Sequence, residues 1–317
     1  MSVYTKLSEP ELDTFLSTYL VGQVLHFEGI EAGIENSNYF VTTDQGRFVL
    51  TIFEQASVEG LKYCLELMAF LSDCALPSPR PVANTRGEYL NTVKNKPAAL
   101  VERLGGASID KPGIEHCRLV GKTLGAMHNA AQSYPATREN ERGRAWRAVT
   151  AEQIRGHLNT ADKSLLDREM VFSKSFDFSY CKRGVVHADL FRDNVLFEGP
   201  KLSGLIDFYY AHSGSLIYDL AVTVSDWCFG SDETVFNQPC AKALVQAYSE
   251  TRVVDTMEIE AWLPSLRAAG LRFWLSRLKD QLFPRHGHLT HIKDPAPFKT
   301  VLQHCQLHSD QLQSVWS

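Results

Sequence analysis

One histidine, two aspartates and an asparagine stand close together in Gly184-Val-Val-His187-Ala-Asp189-Leu-Phe-Arg-Asp193-Asn194-Val-Leu-Phe197, a His-x-Asp-x-x-x-x-Asn pattern between two short apolar runs. Thirteen residues beyond Asn194 comes Asp207, in Gly204-Leu-Ile-Asp207-Phe208, again at the end of an apolar run. Loops between strands often carry Asp and Asn merely as turn formers. With both flanking runs and the spaced Asp-Phe, however, the set fits phosphoryl transfer. That reaction asks for one carboxylate to orient the attacking hydroxyl or accept its proton. It also asks for an amide oxygen and a second carboxylate to hold Mg²⁺ against nucleotide phosphates. Mg²⁺ takes a few hard oxygen ligands and keeps waters, so one Asn and one Asp suit it better than a His/Cys cage.

Such groups must be aimed by rigid elements, and the chain supplies two kinds. Ser8-Glu-Pro-Glu11 has capping-box spacing, and Leu12, Phe15, Leu16, Tyr19 and Leu20 follow at helical intervals. Residues 38–43 and 47–53 are β-branched and aromatic around Asp44-Gln45-Gly46, which predicts a hairpin. A helix over 57–73 is followed by the proline-rich Leu76-Pro-Ser-Pro-Arg-Pro81 and two short strands, at 87–90 and 98–101. From about residue 112 the pattern is mostly helical: 116–129, a segment between 146 and 182, and three stretches after 214. Short apolar strands at 185–186, 194–197 and 202–206 interrupt it around the candidate loop. A β-rich first third and a helix-rich remainder predict an α+β, two-lobe plan. The lobes are expected to divide at residues 1–103 and 104–317, just before Gly105-Gly106.

Composition narrows the class without naming the chemistry. With 44% hydrophobic and 22% charged residues the chain has ordinary globular composition. A net charge of −5 gives no bulk attraction for nucleic acid or a membrane surface, and neither partner is expected. The absence of a long apolar run or an apolar leader predicts a cytoplasmic protein. Seven scattered cysteines without a Cys-x-x-Cys pair argue against a disulfide framework or zinc ribbon. His286-Gly-His288-Leu-Thr-His291 has no carboxylate or cysteine nearby to complete a ligand set, so a polar loop is expected there.

The candidate loop resembles the catalytic loop of protein-kinase-like folds, and more narrowly that of the aminoglycoside phosphotransferase and choline kinase group, in which Ile-Asp-Phe/Trp replaces Asp-Phe-Gly. The resemblance implies a β-rich N-terminal lobe, a larger helical C-terminal lobe, and ATP and Mg²⁺ between them. It implies Asp189 as catalytic base, Asn194 and Asp207 as Mg²⁺ ligands, His187 as a brace of the loop, and Asp219 in Tyr218-Asp-Leu-Ala221 as its helix-borne support. The phosphate cover would be the loop Gly29-Ile-Glu-Ala-Gly33-Ile-Glu-Asn-Ser37-Asn38, with Gly33, Ser37 and Asn38 near phosphate oxygens. Adenine would lie against the connector at Val101, Glu102 and Leu104. Residues 33–54 and 204–228 are similar to the bacterial homoserine kinases built on this fold. That likeness covers the chain to about Phe298 and implies phosphorylation of the L-homoserine hydroxyl. Choline, ethanolamine or aminoglycoside acceptors, or a non-catalytic nucleotide-binding regulator, are the alternatives.

One departure from most kinase-like folds is Thr51, where a phosphate-pairing lysine is expected. A hydroxyl supplies a hydrogen bond but no positive charge. The homoserine kinase likeness includes this threonine. Arg47 and Lys62 are nearby cations in sequence, and Glu59 and Glu66 on the next helix, with no lysine to pair, read as solvated or structural residues. For the acceptor, a carboxylate calls for arginine and an ammonium for an acidic group. Asp226, Trp227, Arg272 and Arg277 are the candidates, while Tyr209, Tyr210, Trp227 and Trp274 suit the cage a bare ammonium would need.

Overall fold

A computed structural model describes residues 4–30, 35–231, 234–284 and 292–317. Gly33 and the histidines at 286, 288 and 291 lie outside the described residues.

The chain opens with α1 (Glu9–Leu16), where the Glu11 carboxylate accepts from the Ser8 backbone N–H at 2.9 Å, as the capping-box spacing predicts. Then come β1 (Val24–Gly29), β2 (Ser37–Thr43), β3 (Arg47–Ile52), α2 (Val58–Asp73), β4 (Leu90–Val93) and β5 (Lys96–Glu102). The five strands form one antiparallel sheet in the order β1-β2-β3-β5-β4. The hairpin at 38–53 forms as the alternation predicts, with Asn38 opposite Thr51. Sequence reading missed β1, a mostly exposed strand whose residues carry no apolar alternation. It also put β4 three residues early. Lys94 and Asn95, both left-handed (φ 50° and 60°), make the turn that fixes the β4–β5 register.

The remainder comprises α3 (Ile114–Ala130), α4 (Arg144–Arg155), α5 (Thr160–Ser175), β6 (Arg183–Val186), β7 (Val195–Glu198), β8 (Lys201–Leu205) and β9 (His212–Ser215). It continues through α6 (Leu216–Trp227), β10 (Phe229–Ser231), β11 (Thr234–Phe236), α7 (Gln238–Thr251), α8 (Thr256–Glu260), α9 (Trp262–Leu282), α10 (Ala296–Leu307) and α11 (Ser309–Gln313). The single helical segment expected over 146–182 is two helices, because Asn159 turns the chain and caps the second by accepting from Asp162 N–H. After residue 214 there are six helices among the described residues rather than three. None is long and apolar enough to cross a membrane.

One face of the sheet packs Tyr39, Val41, Leu50 and Leu100 against Leu12, Phe15 and Leu16 of α1. On the other side, Phe53, Ala99, Val101 and the apolar stripe of α2 (Leu61, Leu65, Leu67) join a core that runs on into the helices through Leu190, Phe208, Leu220 and Trp274. The sheet is thereby tied to the helical part through shared apolar packing.

Candidate active site

The loop between β6 and β7 is shaped from beneath by one buried carboxylate. Asp219, in the first turn of α6 and fully buried, accepts from the backbone N–H of His187 and of Ala188, each at 2.7 Å, and from His128 Nε2 at 3.0 Å. Burial alone would raise the Asp219 carboxyl, but His128 and the loop amides hold it below the usual range. Ala188 is thereby kept at φ +64°, a left-handed conformation that a non-glycine residue adopts only when its surroundings enforce it. His128 is in turn fixed by Tyr248, whose hydroxyl donates to Nδ1 at 2.8 Å.

His187 is fully buried, and its Nε2–H donates to the carbonyl of Ile206 at 3.0 Å. Burial pushes its pKa down, so the neutral ring is favoured. The Ile206 N–H meets the Asn194 carbonyl at 2.9 Å. These two bonds stitch the His187–Asn194 loop to the end of β8, where Asp207 takes φ +65°. Asn194 Nδ2 donates to the Asp189 carbonyl at 2.8 Å and to Asp189 Oδ2 at 3.3 Å. Its Oδ1 accepts nothing among the described residues. Asp189, Asn194 and Asp207 are thus brought together by local hydrogen bonds.

Electrostatically the site is short of positive charge. Asp189 is half-buried and its carboxyl is pushed up to about 6 by desolvation, against which Arg272 and then Lys293 pull it down. Asp207 is open to solvent on one side, yet the protein mass around it, then Asp189, Glu35 and Asp193, push it to about 7. Lys293 is itself paired with Asp193 at 2.6 Å. Arg47 and Lys62 are exposed and are not among the charges acting most strongly on either aspartate. Crowded carboxylates of raised pKa, beside an amide oxygen with no donor, fit a hard divalent cation. No three His, Cys, Asp or Glu side chains among the described residues converge as a metal cage, so an ion here would share its shell with phosphates.

On the sheet side, Thr51 is 4% exposed and donates to Asn38 Oδ1 at 2.8 Å, fixing that side chain across the β2–β3 pair. Ser37 is fully buried; its hydroxyl donates to Glu54 at 2.8 Å and accepts from Thr5 N–H, so it has no open face toward a ligand. Val101 is buried and Glu102 exposed at the end of β5, where the Glu102 N–H donates to the Arg80 carbonyl, and Leu104 lies in the connector that follows.

The four acceptor candidates part company. Trp227 is 3% exposed and spends its N–H on the Leu190 carbonyl at 3.0 Å, a core position under the loop. Asp226 accepts from the backbone and the Nε of Arg192, and Arg277 donates to the Asp294 carbonyl at 2.8 Å over the Phe298 ring. Arg272 differs. It lines a small open pocket beside Ala188, together with Arg138, Arg142, Tyr210 and Tyr218. Sequence reading missed Arg138, Arg142 and Tyr218. The run Arg138-Glu-Asn-Glu-Arg142 looks like a solvated loop, and only tertiary packing turns it toward Tyr210.

Residues 26–262 match the model of the phosphotransferase enzyme family. The chain is 45% identical to a homoserine kinase of Methylobacillus flagellatus, covering 100% of this chain and 99% of that one. It is 41% identical to a homoserine kinase of Neisseria meningitidis serogroup B, covering 95% and 99%. Among solved structures, an amicoumacin kinase superposes with a TM-score of 0.72 at 15% identity over 95% of this chain and 93% of that one. A microcompartment-associated aminopropanol kinase does so with a TM-score of 0.66 at 19% identity over 97% and 98%. The protein-kinase-like, two-lobe α+β architecture and the full-length relatives agree: this chain belongs to the phosphotransferase enzyme family, as an end-to-end relative of the bacterial homoserine kinases.

Proposed function

We propose that the chain is an ATP-dependent homoserine kinase of the cytoplasm, converting L-homoserine to O-phospho-L-homoserine and ADP in threonine biosynthesis. The observation that carries the reading is 45% identity to a homoserine kinase along the whole chain. Residues 1–103 cover the nucleotide, with Asn38 toward its phosphates and adenine against the connector at Val101, Glu102 and Leu104; residues 104–317 carry the chemistry.

In this reading Asp189 orients the homoserine hydroxyl and takes its proton as the γ-phosphoryl group transfers in line. A carboxyl near 6 is ionised at neutral pH yet more basic than an ordinary aspartate, which suits a proton acceptor. Asn194 Nδ2 ties down Oδ2 of Asp189 and leaves Oδ1 for the hydroxyl. Asn194 Oδ1 and Asp207 are the groups that would hold Mg²⁺, whose chemistry when bound is to neutralise charge on the phosphate oxygens. His187 and Asp219 keep the loop in shape. Arg272, inside the pocket beside Ala188, is the acceptor-side residue best suited to a carboxylate.

A coupled ADP-release assay comparing homoserine, choline, ethanolamine and a sugar alcohol tests the reading. Homoserine should give the highest kcat/KM. Turnover with another acceptor and none with homoserine would reassign the substrate, and no turnover with any acceptor would point to a nucleotide-binding regulator.

A further inference from the structure

We propose that Glu35 and Arg272 read the acceptor as a zwitterion, Arg272 taking the carboxylate and Glu35 the ammonium; this rests on homoserine as the acceptor and adds the residues that select it. The first observation is an unpaired charge. Of the two arginines less than one-tenth exposed among the described residues, Arg252 is ion-paired with Glu258 at 2.6 Å. The Arg272 guanidinium has no hydrogen bond and no ion pair among the described residues, although its charge is felt at Asp189. Its guanidinium lies 3.6 Å from the Phe273 ring centroid and 5.0 Å from that of Tyr210. Aromatic faces offset only part of the cost of burying a cation, so an anion arriving in the pocket would be bound strongly.

The second observation is a contact across the cleft. Tyr210 Oη donates to Glu35 Oε1 at 2.6 Å, joining residues 175 apart in sequence. Glu35 comes from the loop before β2, and its charge is felt at both Asp189 and Asp207. The hydroxyl of Tyr210 steadies one carboxylate oxygen and leaves the other without a donor among the described residues. Opposite charges therefore meet at a single tyrosine, Glu35 at its hydroxyl and Arg272 by its ring, and both act on Asp189. An α-amino acid carries its own opposite charges on one carbon, with the homoserine hydroxyl two methylenes away. Two opposite charges at one tyrosine can answer both charges of such an acceptor, and a bare amino alcohol would leave Arg272 unpaired, a form of discrimination by unsatisfied polar groups.

The test crosses enzyme charges with substrate charges. Dissociation constants are measured, with a non-hydrolysable ATP analogue present, for 4-hydroxybutanoate (homoserine without its ammonium) and 3-aminopropanol (homoserine without its carboxylate). Glu35→Gln should weaken 3-aminopropanol and spare 4-hydroxybutanoate, and Arg272→Gln should do the reverse. Each variant should raise the homoserine KM about 10- to 100-fold, the usual range for one lost charge-assisted bond, while the ATP KM moves less than about threefold. Tyr210→Phe keeps both charges and should raise the homoserine KM less than Glu35→Gln does. The proposal is overturned if Glu35→Gln weakens both analogues alike, if it only equals Tyr210→Phe, or if neither variant changes the homoserine KM. Wild-type protein that turns over another acceptor but not homoserine would instead remove the functional reading beneath it.

Discussion

Asp189→Asn should make the nucleotide-free protein more stable at alkaline pH while abolishing turnover. The native Asp189 carboxyl rises from an ordinary 3.8 to about 6, chiefly through desolvation. Between those values the native state binds more protons than the unfolded chain. Stability is therefore undiminished below about pH 4, falls as pH rises through the window, and carries the full deficit above about pH 6. A rise of that size corresponds to about 3 kcal/mol as a ceiling. The side chain is only half-buried and is partly screened by solvent, so a gain of about 1–2 kcal/mol is expected. Asparagine is nearly isosteric, and its Oδ1 can still accept from Asn194 Nδ2, which now lies 3.3 Å from Asp189 Oδ2. Urea unfolding of wild type and variant, without nucleotide, at pH 8 and pH 4 reads the effect. The variant should unfold at higher urea at pH 8, and the two curves should converge at pH 4. No gain at pH 8, or the same gain at both values, would refute the reasoning.

The raised carboxyls of Asp189 and Asp207 also set an acid limb: kcat/KM should fall as pH drops below about 7, and Arg272→Gln should move that limb upward because Arg272 holds Asp189 down. A profile flat to pH 5, or a limb unmoved in the variant, counts against this. Asp219→Ala strips the acceptor from the His187 and Ala188 amides and from His128. It should cut kcat at least about 100-fold and cost about 2–4 kcal/mol of stability with little change in nucleotide affinity by calorimetry. Near-normal turnover would mean that the loop does not need its left-handed turn. Gly121→Ala puts a Cβ 2.0 Å from the Leu244 carbonyl oxygen, between α3 and α7. It should destabilise by about 2–4 kcal/mol in thermal unfolding, and an unchanged Tm would deny the close helix approach.

The chemistry-bearing loop is legible in sequence because its geometry is local. Asn194 lies five positions after Asp189, and chain connectivity together with two short strands brings the amide onto the carboxylate. Helices and hairpins whose apolar residues keep a period, such as α2 and β2–β3, are legible for the same reason. Elements without that pattern are not. β1 is mostly exposed, and β9 is His-Ser-Gly-Ser, a strand only because β6 offers it a partner. Trp227 shows the limit from the other side: an aromatic at a helical position reads alike whether it meets a ligand or, as here, a buried carbonyl.

The sequence by itself determined the reaction class, the loop and the lobes' secondary-structure character, all consequences of residue type at short spacing. Tertiary structure decided which charges stand alone. Arg272 and Arg277 look equivalent on one helix, yet Arg277 bonds the Asp294 carbonyl while Arg272 faces the pocket. Glu35 meets Tyr210 only after the sheet packs over the helices. Electrostatic pairing depends on distances through space and on the exclusion of water, and neither is fixed until the core has formed.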